Sequence, residues 1–138
     1  MKYLTLACLL LLSCREKNVN AIQDIPVRHQ VLISSGQFAT CEIIKIDSIA
    51  FDLAVNEASD TIYLATQDST FRTPEGLGVG MRFGQIPNDL KAHVIKEAGW
   101  GYYVPLDSKW NLGFCEGSSC TDSDPTDSSG IKWVFKRK

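Results

Sequence analysis

Between residues 73 and 86 (TPEGLGVGMRFGQI) the chain alternates glycine with large apolar residues, and this narrows the folds open to it. Thr73, Pro74, Glu75 and Gly76 carry turn chemistry, since Pro74 presets φ and Gly76 suits the last turn position. Beyond the turn, Leu77, Val79, Met81 and Phe83 fall on one face, with Gly78, Gly80 and Gly84 among them. Backbone without Cβ atoms admits close approach by a strand or a ligand, so Leu77, Gly78, Val79 and Gly80 form a candidate contact surface. The stretch matches neither G-x-G-x-x-G nor G-x-x-x-x-G-K-[ST], which argues for a structural turn over a phosphate cradle.

Before it, the sequence reads as strands. Residues 27–34, 38–47, 48–55 and 61–66 are apolar or alternating, with turn signals at Ser35-Gly36 and over 56–60. Ile49, Phe51, Leu53 and Val55 share a face, opposite Ser48, Ala50, Asp52 and Ala54. This predicts an antiparallel meander, half-buried, with one polar face.

After it, Ile86, Leu90, Val94 and Ala98 recur at the helical period, Pro87 and Asp89 suit a first turn, and Gly99 suits the end. The spacing predicts an amphipathic helix over 86–98, with His93 and Glu97 as an ordinary surface pair one turn apart. Aromatic-rich strands are expected over 99–106 and 110–115, and a last strand over 131–135 whose lysines suit a solvent face or a guarded edge. Together these predict an α+β fold: an antiparallel twisted sheet with one amphipathic helix packed on one face. Trp100, Tyr102 and Tyr103 are core candidates that also offer an aromatic binding surface.

The 138 residues hold one domain with a modest core, and 44% hydrophobic against 22% charged residues is ordinary globular composition. A formal net charge of -2 excludes the basic footprint of a nucleic-acid binder. His29 has no ligand-spaced neighbour and reads as a strand histidine. Asp122, Asp124 and Asp127 sit in a polar loop over 116–130 that lacks EF-hand spacing and reads as solvated loop. No motif places a nucleophile beside a base, so no catalytic residue, metal or cofactor is expected.

The N-terminus carries an export signal. Lys2 precedes a short apolar run over 4–12, too short for a permanent span. The run ends in Leu11-Leu12-Ser13-Cys14, which resembles the lipobox of bacterial lipoproteins. That resemblance implies cleavage before Cys14, lipid on its thiol, and attachment to the membrane through two or three acyl chains. Residues 1–13 are then signal peptide, 14–24 the lipidated cysteine and tether, and 25–138 one α+β domain. Arg15 rather than aspartate follows the cysteine, which by the same resemblance favours the outer membrane.

Loss of Cys8 and lipidation of Cys14 leave Cys41, Cys115 and Cys120. Outside the cytoplasm two of these are expected to pair. Cys115 with Cys120 closes a short loop and is the first choice, with a Cys41 bridge to either as the alternative.

Residues 71–86, with the flanking segments from Ser59 to Val104, resemble a turn in small exported bacterial domains of unassigned function. A similar layout occurs in outer-membrane-assembly lipoproteins and in the β-lactamase-inhibitor-like fold, although Pro87 departs from the usual pattern. The resemblance implies a non-enzymatic module of the cell envelope that binds or scaffolds another envelope protein. Binding of a small molecule or glycan on the aromatics is the alternative.

Overall fold

The computed structural model describes residues 26–138. Eight strands build one antiparallel sheet: β1 (Arg28–Ser34), β2 (Gln37–Ile46), β3 (Ile49–Val55), β4 (Thr61–Thr66), β5 (Ile95–Glu97), β6 (Gly101–Pro105), β7 (Asn111–Phe114) and β8 (Trp133–Arg137). Their order across the sheet is β1-β2-β3-β4-β8-β7-β6-β5. The first four strands form the expected meander, and Asp47 and Ser48 close the β2–β3 hairpin with positive φ at both turn residues. β8 is central rather than an edge, paired with β4 on one side and β7 on the other.

The fold is therefore not the expected α+β arrangement. Among the described residues, helix is confined to a 3-10 turn at Phe83–Gln85 and one α-helical turn, α1 (Asn88–Lys91). The amphipathic helix over 86–98 does not form; Ile95–Glu97 instead pairs with β6, matching Ile95 to Tyr103 and Glu97 to Gly101. A single short helix is marginal without an apolar face to bury. Here Ile86 is buried and Leu90 packs against the core, but Val94 is 37% exposed, so burial of the helical stripe stops after its first turn. The β-branched pair Val94-Ile95 favours extension, and Gly99, at φ +69, serves the β5–β6 turn instead of ending a helix.

Both faces of the sheet carry a buried cluster, and the polar face expected of the meander is kept on its outer strands, where Arg28, Gln30 and Thr40 are exposed. On one face Phe51, Tyr102, Val104, Leu112, Phe114 and Val134 meet Leu77 and Ile86, with Val79, Met81 and Phe83 packed alongside. The glycine-interleaved stretch thus lays all four of its alternating apolar side chains on the sheet. Its backbone is bonded within the chain: Gly80 N–H donates to Ile131 O at 2.9 Å and Phe83 N–H to Ser129 O at 2.7 Å. Thr73 N–H donates to Leu77 O at 2.9 Å, closing the turn, and Glu75 accepts from Ser108 N and Oγ at 3.0 and 2.9 Å.

The other face holds Ile33, Cys41, Ala54, Tyr63, Ala65, Trp100 and Phe135. It is the inner face, because its side chains link the two outer strands of the sheet. Trp100 Nε1 donates to Leu32 O in β1 at 2.7 Å, and Arg137 Nη1 to Ile33 O at 2.8 Å. Ser34 Oγ and Ser35 N donate to Glu97 in β5 at 2.6 and 2.7 Å. An eight-stranded sheet whose edges meet this way must curl, and the right-handed twist of strands supplies the curl. The result is a half-barrel.

Candidate functional site

Small residues on the inner strands leave room for large ones to fold over them. Gly113 lies opposite Trp133 in the β7–β8 ladder, and a Cβ there would run into the Trp133 indole. A Cβ on Gly101 would meet Phe114 O at 2.6 Å and the Trp133 ring at 2.9 Å. Trp133 can therefore lie flat along the inner wall, edge-on to Trp100 at 5.3 Å between ring centroids. Trp100 also meets Phe135 at 5.0 Å and Tyr103 at 5.9 Å.

One end of the interior is closed. The Arg137 guanidinium lies 4.9 Å from the Trp100 ring centroid and 5.5 Å from that of Tyr103, and pairs with Glu97 at 2.8 Å. Burial pushes the Glu97 carboxyl up, but hydrogen bonds from Arg137, Ser34 and the Ser35 backbone outweigh it and hold the group below the ordinary glutamate value. This cluster ties β1 to β5 and β8.

Towards the other end lies an open cavity of about 410 Å³. Val31, Leu32, Tyr63, Ala65, Trp100 and Trp133 supply its apolar surface. Asp52, Gln67, Lys132 and the Cys115–Cys120 disulfide complete the lining. The volume lies at the lower end of the range for small-molecule sites, whose lining is also predominantly apolar with a few polar groups. Trp133 Nε1 is buried without an acceptor among the described residues.

Beside the cavity, His29 Nε2 pairs with Asp52 Oδ1 at 3.0 Å, and His29 stands opposite Cys41 in the β1–β2 ladder. Cys41 is the free cysteine among the described residues and is fully buried; burial first, then Asp52, pushes its thiol up. Burial, followed by the neighbouring Cys41 and Asp52, likewise raises the Tyr63 phenol, which stays neutral at any ordinary pH. A buried, protonated thiol is a poor nucleophile despite the adjacent histidine. The chemistry on offer is shape, apolar contact and hydrogen bonding.

The residues singled out from sequence are dispersed. Cys115 and Cys120 are joined, as first chosen. Trp100 and Tyr103 lie with the inner cluster, and Trp100 lines the cavity. Tyr102 lies on the opposite face, where its hydroxyl donates to Asp124 at 2.8 Å. Leu77 and Gly78 are buried, Val79 is half-buried and Gly80 is exposed. Asp122 accepts from Ser118 and Ser119, and Asp127 faces Lys91 at 3.7 Å, so the three aspartates serve separate partners. Cys14, the signal peptide and the tether lie outside the described residues.

Trp133, Tyr63, Lys132 and Gln67 went unmarked in the sequence as site residues. The available signal was the pattern of small residues, Ala54, Ala65 and Gly113, at strand positions across from aromatics.

The class these features define is an antiparallel half-barrel, its edges tied by an ion-pair cluster, with an apolar cavity on the inner face. No family model matches the chain, and no curated protein matches it. Among solved structures it is similar to the uncharacterised protein YfeY from Escherichia coli, with a TM-score of 0.55. The two are 12% identical, over 81% of this chain and 80% of that one, so the likeness is one of fold.

Proposed function

We propose that this protein is a membrane-anchored lipoprotein of the bacterial cell envelope acting as a non-enzymatic binding module, and that the inner cavity is its ligand site. The observation carrying this reading is the aromatic-walled cavity of about 410 Å³ in the half-barrel. The lipobox at Cys14 and the Cys115–Cys120 disulfide support an exported, tethered protein. Ten residues of tether, 15–24, reach at most roughly 35 Å when extended, which keeps the domain near the bilayer.

Titration with the uncharged fluorophore N-phenyl-1-naphthylamine tests the cavity. A saturable, one-site rise in emission is expected, abolished by Gln67→Trp, which places a bulky ring at an exposed lining position. Emission that does not saturate, or is unchanged by Gln67→Trp, overturns the assignment. Anchoring is tested by Cys14→Ala, which is expected to release the protein from the membrane fraction; retention there would refute lipidation.

A second reading is a protein partner within the envelope. It draws on Phe38 (65% exposed), Val55 (50%) and Ile46 (46%), large apolar side chains left open on β2 and β3. Crosslinking in intact envelopes, with Phe38→Ser as control, is expected to yield one dominant partner that the substitution removes if this surface is used.

A further inference from the structure

We propose that the cavity selects a small single-chain amphiphile with an anionic head group, held apolar body inward and head towards Lys132. The inference rests on the cavity being a ligand site and names what that site takes.

Size limits the body. A cavity of about 410 Å³ is at the small end of the range for small-molecule sites, which suits a medium-length acyl chain or a compact ring system. Trp100, Trp133 and Leu32 offer this body a continuous apolar wall.

Charge selects the head. Two charged residues line the cavity, Asp52 and Lys132. Asp52 is engaged by His29 at 3.0 Å. Lys132 is exposed and has no ion pair among the described residues, whereas Lys91 and Lys138 face Asp127 and Asp60, each at 3.7 Å. Lys136 lies over Trp110 at 4.8 Å and Lys96 over Tyr102 at 5.4 Å. Lys132 supplies the cavity lining with an ammonium group that pairs with no carboxylate among the described residues, and such a group recognises an anion. Gln67 adds a neutral amide that can donate to the same head.

The test is isothermal titration of the full chain at pH 8, below micellar concentrations, with decanoate, decanol and decyltrimethylammonium. Decanoate is expected to bind about fivefold more tightly than decanol, with the cation weakest. Lys132→Gln is expected to bring decanoate to the level of decanol while leaving decanol unchanged, and Gln67→Trp to abolish all binding. Equal affinities for the three ligands, or a Lys132→Gln loss shared equally by decanol, would refute the head-group assignment and leave the cavity as a ligand site. Binding that survives Gln67→Trp, or no binding by any of the three, would overturn the proposal together with the cavity reading.

Discussion

Replacing Glu97 by glutamine tests whether the closed end of the half-barrel holds the two halves of the sheet together. The Glu97 carboxylate accepts from Ser34 Oγ at 2.6 Å, Ser35 N at 2.7 Å and Arg137 Nη2 at 2.8 Å. The Glu97 and Arg137 side chains are only 18% and 19% exposed. Removing one member of a well-buried ion pair costs about 3–5 kcal/mol, because the other charge is left without a partner. The amide keeps one acceptor, and water still reaches part of the pair. About 2 kcal/mol is therefore expected for Glu97→Gln at pH 7. With a urea slope of about 2 kcal/mol/M, the unfolding midpoint falls by about 1 M. The pH dependence gives an independent check. The native carboxyl titrates below its ordinary value of 4.5, so its contribution is complete above that value and is lost as pH falls through the native pKa. The gap between wild type and Glu97→Gln should therefore be widest at pH 7 and should narrow at pH 3. Urea unfolding followed by tryptophan emission, in the soluble Cys14→Ala background, measures both. A loss below about 0.5 kcal/mol, typical of an exposed pair, or a gap equal at both pH values would refute the reasoning.

Gly113→Ala places a methyl group against the Trp133 indole and should cost about 1–3 kcal/mol through overpacking, read as a lower melting temperature with a changed near-ultraviolet circular dichroism spectrum. Reducing the Cys115–Cys120 bridge opens a short loop, sequence separation 5, and should lower stability by about 2 kcal/mol; a melting temperature unchanged by reductant would contradict this. The fully buried Cys41 thiol should resist an aromatic disulfide reagent in the native protein with Cys8→Ala and Cys14→Ala and react once on unfolding. Rapid native labelling would refute its placement.

The meander was readable because its information is local. Each strand from 27 to 66 carries its own apolar or alternating pattern, and 61–66 matches the observed β4 residue for residue. The same logic misjudged Ala54 on the inner face of β3, where Ala50 is exposed as read and Asp52 is half-buried. Ala54 is 1% exposed because it is buried in one cluster with its ladder partner Tyr63 and with Trp100 and Phe135 from far along the chain. The segment 86–98 shows the converse. Its helical period was genuine, but helix formation is decided by whether an apolar face is buried, and that depends on neighbours.

By itself, then, the sequence determined the early strand pairs, the turn at 73–77, the preferred disulfide and the expectation of a lipid anchor. These rest on neighbours a few residues apart or on short motifs. Only the tertiary structure decided that β5 replaces a helix, that β8 lies at the centre of the sheet and that each face carries a buried cluster. It also decided that a cavity forms where Tyr63, Trp100 and Trp133 meet over small residues. Those outcomes depend on contacts such as Leu32 with Trp100 and Glu97 with Arg137, 68 and 40 residues apart, whose partners become neighbours only when the sheet curls.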